Sequence, residues 1–103
     1  MKLSGVIRDF GTEGEEYDVR EAVVTKDRIS IDWNEGGETG HLEATSDDGV
    51  TFRGVYGYPH PDRWRSFHLV RYTAGNRVLL YGTWRNDAGN NTGHWLFALS
   101  PDE

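Results

Sequence analysis

RVLLYGTWRNDAGNNTGHWLFALS, Arg77 to Ser100, is the stretch whose reading decides the fold. Two alternating apolar runs flank a loop rich in Asn, Asp and Gly, which is the pattern of a β-hairpin. Alternation places Val78, Leu80, Gly82 and Trp84 on one face of the first strand, and Gly93, Trp95, Phe97 and Leu99 on one face of the second. Any loop of even length brings those two sets to the same side of the sheet. Two tryptophans, a phenylalanine and two glycines then share one buried surface. The architecture this predicts is a curved sheet with aromatic residues inside.

Working outward, no segment repeats apolar residues at three-four spacing for ten positions without a Gly or Pro. Strand-like runs fall instead at roughly 2–10, 17–25, 28–34, 39–46, 50–58, 64–73, 77–86 and 92–100. The connections are turn chemistry: GTEGEE, KD, NEGG, SDDG, YPHPD, AGN and DAGNN. Eight short strands with tight turns predict one all-β domain over 1–103, a small antiparallel up-and-down barrel that closes to remove its edges. A two-sheet β-sandwich is the alternative.

The chain has 103 residues, enough for one core, with 13 glycines, three prolines and 13 aromatic residues. The absence of cysteine excludes a disulfide framework, a zinc-thiolate site and a thiol nucleophile. MKLSGVIRDF has no apolar run of signal-peptide length and no segment approaches a transmembrane helix, so a soluble, cytoplasmic protein is expected. The net charge of −6 is uneven: residues 1–50 carry 13 acidic and 5 basic side chains, residues 51–103 carry 4 and 6. Such a surface repels phosphate backbones, so neither nucleic acid nor membrane is an expected partner.

Turn lengths set which side chains face inward. A three-residue loop at Asp47-Asp48-Gly49 predicts Ala44 opposite Phe52, Leu42 opposite Gly54, and Glu43 opposite Arg53 outside. Leu42, Ala44, Phe52, Gly54 and Tyr56 then face the interior. A two-residue turn would bury Glu43, at a cost of several kcal/mol. In the run 64–73, a loop at Ala74-Gly75-Asn76 turns Trp64, Ser66, His68, Val70 and Tyr72 inward. A turn at Gly75-Asn76 turns in Arg65, Phe67, Leu69, Arg71 and Thr73. The first phase is expected, because one imidazole is easier to bury than two guanidinium groups.

Two readings of the interior stay open. Trp33, Tyr56, Trp84, Trp95 and Phe97 could interdigitate as a solid core, with Gly54, Gly82 and Gly93 making room for rings. The same residues could wall a ligand pocket, with His68 and Tyr72 as polar contacts. A hollow of roughly 300 Å³ or more accords with ligand binding, and a packed centre with an interaction role.

GTWRN (Gly82 to Asn86) and HWLFALS (His94 to Ser100) resemble strands of the avidin and streptavidin family. In that family a GTWYN-like strand and a late QWLL-like strand line a biotin pocket inside an eight-stranded barrel. The resemblance covers about 20 residues and implies that Trp84, Asn86 and Trp95 are wall or mouth residues. Here the first motif lies late in the chain rather than opening the barrel, and Arg85 replaces its tyrosine. What carries over is a likeness to small ligand-binding barrels of the calycin type rather than to a biotin site.

His41, His60, His68 and His94 lie on different runs without tight ligand spacing, so no metal and no cofactor is expected. No serine elbow or phosphate loop is present, and Asp32 and Glu43 would form an acid/base pair only in the disfavoured register, so no enzyme is expected. The YPHPD loop with Arg63-Trp64-Arg65 reads as solvated surface. The expected function is a non-enzymatic binding protein for a small, partly apolar molecule. The alternative is an interaction subunit or inhibitor whose Glu13, Glu15, Glu16, Asp18, Glu35 and Glu38 steer it onto a basic partner. Homodimerisation is open.

Overall fold

The computed structural model describes residues 2–10, 15–88 and 90–101. Gly11 to Gly14 of the GTEGEE connection, with Glu13 of the acidic set, and Gly89 of the DAGNN loop lie outside the described residues. Eight strands follow in order: β1 (Lys2–Asp9), β2 (Glu16–Val24), β3 (Arg28–Glu35), β4 (Glu38–Thr45), β5 (Thr51–Gly57), β6 (Pro61–Ala74), β7 (Arg77–Asn86) and β8 (Asn91–Pro101). Each pairs with the next and β8 pairs with β1, closing the up-and-down barrel. The architecture is compatible with a calycin-like fold, and among the described residues no edge strand is left to template aggregation. Among the described residues no helix is long and apolar enough to cross a membrane.

Up-and-down topology puts the β1–β2, β3–β4, β5–β6 and β7–β8 connections at one end, here called the mouth. The opposite half is filled: Leu3, Ile29, Phe52, Leu80 and Leu99 are buried there. Each such side chain contributes about 1.5–3 kcal/mol relative to leaving it exposed. Buried positions alternate along β3 (Ile29, Ile31, Trp33) and β8 (Trp95, Phe97, Leu99), as a strand with one face inside requires.

The β7–β8 hairpin has the predicted register. Val78 faces Leu99, Leu80 faces Phe97, Gly82 faces Trp95 and Trp84 faces Gly93. Elsewhere the turns differ from expectation. Between β4 and β5, Leu42 faces Tyr56 and Ala44 faces Gly54, two residues away from the predicted pairing. Asp48 explains the longer loop: its Oδ1 accepts the backbone N–H groups of Val50 and Thr51, both at 2.8 Å, while Gly49 takes φ +76°. A shift by two leaves the faces unchanged, so Leu42, Ala44, Phe52 and Tyr56 are still buried. Glu43 faces Val55 rather than Arg53, and its partner is His41 at 3.3 Å.

The phase of β6 is the reverse of the expected one. Gly75 at φ +63° makes a two-residue turn, Ala74 pairs with Arg77, and Phe67 and Leu69 are the buried residues. His68 therefore faces outward beside Thr83 (3.0 Å), and Tyr72 is 56% exposed. The two guanidinium groups that argued against this phase sit toward opposite ends of the strand, both partly exposed, though the Nε of Arg65 is buried without a partner among the described residues. Arg65 bonds Asp62 at 2.9 Å, and Arg71 lies 5.7 Å from the Phe52 ring and donates to the Thr25 carbonyl at 3.3 Å. Long basic side chains lay their stems on apolar surface.

The glycines also differ in what they admit. Gly93 makes room for a ring, the indole of Trp84. A Cβ on Gly54 or Gly82 would instead meet a neighbouring strand's carbonyl, that of Glu43 or His68. These two positions bring backbone against backbone where the wall coils tightly.

Candidate functional site

The mouth holds a cavity of about 220 Å³, reaching from Ile7 and Trp95 inside to Glu35, Tyr58 and Asn91 at the rim. It is smaller than the 300 Å³ expected of a drug-sized pocket and suits a compact group. A larger hollow of about 470 Å³ lies on the outer wall, bordered by Thr25, Arg28, Glu43 and Arg53 among others, but no aromatic ring converges on it.

Every element that supplies a mouth residue does so by period two. On β3, Trp33 follows Ile31 on the inner face and Glu35 follows Trp33. On β7, Gly82, Trp84 and Asn86 succeed one another, and on β8, Asn91, Gly93 and Trp95 do. Asp9 and Tyr17 continue the inner faces of β1 and β2, and Tyr56 and Tyr58 continue that of β5.

Trp95 is the hub of the ring cluster. Its centroid lies 5.0 Å from Phe97, 5.2 Å from Tyr56, 5.7 Å from Phe67 and 5.9 Å from Trp33, all edge-to-face. Each such pair adds about 0.5–1.5 kcal/mol beyond area burial. Tyr58 stands edge-on to Trp33 at 5.9 Å and to Tyr56 at 6.2 Å. The rings of Trp33, Tyr56, Tyr58 and Trp95 therefore hold one another in place before anything enters.

Polar groups frame this apolar surface. Glu35 Oε1 accepts the indole N–H of Trp33 at 3.1 Å and the Tyr58 hydroxyl at 3.2 Å. The Tyr56 hydroxyl donates to the Arg85 carbonyl at 3.3 Å. Burial pushes the Tyr56 hydroxyl up to about 12; Arg65 pulls the other way, against the nearby carboxylates of Asp9, Glu35 and Asp62. Tyr58 is pushed up further, by burial and then by the charge of Glu35. Both remain hydrogen-bond donors throughout the physiological range. The buried Nε1 atoms of Trp84 and Trp95, whose rings border the cavity, have no acceptor among the described residues. An unsatisfied buried donor costs about 1–3 kcal/mol.

Of the residues predicted to bind, Trp33, Tyr56, Trp84 and Trp95 line the cavity, and Phe97 forms the layer beneath, against Trp33 and Trp95. His68 and Tyr72 belong to the outer wall and take no part. Asn86, implied by the family resemblance alone, lines the mouth. Sequence reasoning missed Asp9, Tyr17, Glu35, Tyr58 and Asn91 as site residues. Alternation past Trp33 and Tyr56 marks Glu35 and Tyr58, but one reads as surface acidity and the other as turn.

Outside the barrel, Asp32 and Glu43 flank His41 at 2.5 and 3.3 Å. Burial would lower the imidazole's pKa, but hydrogen bonds and charge from both carboxylates overcome this and raise it. No grouping of three or more such side chains among the described residues is arranged to hold a metal ion. No protein-family model matches the chain, and no curated protein is significantly similar to it.

Proposed function

We propose that this protein is a non-enzymatic binding protein that holds a small, partly apolar molecule in the mouth of its barrel. The observation that carries this reading is the cavity of about 220 Å³, walled by Trp33, Tyr56, Tyr58, Trp84 and Trp95 and bordered by two indole N–H groups without acceptors among the described residues. Rings supply apolar contact area, and a ligand bearing a hydrogen-bond acceptor meets the donor demand. The likeness to small calycin-type barrels is in keeping with this use of the interior, though a fold alone carries no function.

The test is thermal unfolding against a panel of small metabolites, with wild type and Trp95→Ala. A compound at 100 times its Kd stabilises the wild type by about 2.7 kcal/mol. Tyr58→Ala, at the half-buried rim, serves as a second variant should Trp95→Ala fail to fold. The expected result is a panel member that raises the melting temperature of wild type and not of the variants. A wild type that no panel member stabilises refutes the reading.

A second reading rests on where the acids lie. Glu15, Glu16, Glu35 and Glu38 all belong to the mouth end, where they would steer a basic partner. Pull-down at low and high salt, with wild type and a Glu15/Glu16/Glu38 charge reversal, tests it; salt-insensitive capture or none removes it.

A further inference from the structure

We infer that the molecule held in the mouth is a small organic cation, an alkylated ammonium, seated against the aromatic rings with Glu35 as counter-charge; this rests on the binding reading above. Three observations converge on that charge. First, among the described residues the cavity is bordered by two carboxylates, Asp9 and Glu35, and by no basic side chain. The arginines nearest this end each hold a carboxylate: Arg8 that of Glu16 at 2.7 Å, Arg65 that of Asp62 at 2.9 Å and Arg85 that of Asp87 at 3.0 Å. Arg65 also lies 5.6 Å from the centroid of the Tyr58 ring, so the faces left to a guest are those of the indoles and Tyr56. Arg63 lies over the outer ring of Trp64 at 4.7 Å.

Second, Glu35 forms no ion pair with any described residue; its partners are the neutral donors Trp33 Nε1 and Tyr58 OH, both on Oε1. An anionic guest would be repelled by it. A neutral guest that covered the mouth would strip water from it without compensation, which is costly for a carboxylate. A cationic guest supplies the missing charge. Third, the walls are indole and phenol rings, whose negative faces attract a cation within about 6 Å of the centroid. A compact methylated ammonium suits a cavity of about 220 Å³. A hydroxyl on the same molecule is an acceptor for the indole donors.

Three isosteric probes isolate the charge: choline, neutral 3,3-dimethylbutan-1-ol and anionic 3,3-dimethylbutanoate, each titrated calorimetrically into wild type and Glu35→Gln. Glutamine keeps an acceptor for Trp33 and Tyr58, and circular dichroism confirms that the variant folds. Choline is expected to bind at least about tenfold more tightly than the alcohol, with the butanoate weakest. Glu35→Gln is expected to weaken choline about tenfold and leave the alcohol unchanged within about twofold. If the alcohol or the butanoate binds as tightly as choline, or if Glu35→Gln leaves choline unaffected, the cation assignment is overturned while the pocket stands. If choline does not bind and no metabolite of the panel stabilises the wild type, both readings fall together.

Discussion

Replacing Gly40 by alanine tests the packing on which the mouth depends. Gly40 faces Trp33 across the β3–β4 ladder, and the indole lies flat over the position where a side chain would begin. A Cβ there would sit 2.5 Å from Trp33 Nε1 and closer still to two ring carbons. Ordinary contact needs about 3.5–4.0 Å, so the ring must retreat by roughly 1 Å or more. Trp33 is only 1% exposed and is held edge-on by Tyr58, Trp95 and Phe97. Overpacking of that kind costs about 1–3 kcal/mol. Displacing Nε1 from Glu35 removes a charge-assisted hydrogen bond worth about 1.5–3 kcal/mol. The expected loss is about 3 kcal/mol, a large share of the ~5–15 kcal/mol that holds a domain together. Gly93→Ala is the control: its Cβ would meet Trp84 at 2.5 Å, but that indole is only half-buried and can swing outward. Its cost should be about 1 kcal/mol, the low end of overpacking. Equilibrium urea unfolding of wild type and both variants measures the difference. A Gly40→Ala protein within about 0.5 kcal/mol of wild type, or less affected than Gly93→Ala, would refute the claim that Trp33 is rigidly clamped.

Phe67→Ala should cost about 3–5 kcal/mol and His68→Ala less than about 0.5 kcal/mol in the same unfolding assay, since one side chain lies inside the wall and the other outside. His41→Gln should lower stability by about 0.5 kcal/mol at pH 5.5, because both partner carboxylates face water. The histidine's pKa is raised on folding, so its contribution is complete below the unfolded value of about 6.5 and fades as pH rises through the folded value. Wild-type and variant stabilities should therefore converge by pH 9. Asp48→Asn should soften the acid limb of the stability profile: the N–H groups of Thr51 and Val50 hold this carboxyl below its usual range. Its contribution is present above the unfolded pKa and is lost as pH falls through the folded one.

The last hairpin was legible because alternation and an even loop leave one arrangement of Trp84, Gly93 and Trp95. All eight strands were legible too, since turn residues punctuate them. Inner and outer faces of β4 and β5 survived a wrong loop length, because an error of two residues restores every side chain to its face. The phase of β6 did not survive, because Ala74-Gly75-Asn76 admits turns of two or three residues, an error of one. Desolvation was charged to Arg65 and Arg71 as though they were central, when the barrel's finite height leaves both at its ends. The rim was invisible for a related reason. Alternation gives Glu35 and Tyr58 the inward phase, but Asp9, Glu35 and Tyr58 gain their role only from where the barrel stops, which composition and alternation do not encode.

The central claim is that three of the four tryptophans meet at one sheltered end and there take up a small molecule, while Trp64, 50% exposed, lies apart. Indole ¹⁵N–¹H spectra report all four Nε1–H groups at once. Titration with choline should shift the Trp33, Trp84 and Trp95 signals along one saturation curve and leave Trp64 still. Movement of Trp64 alone, or no saturable movement of the three with choline or either isostere, would contradict the account.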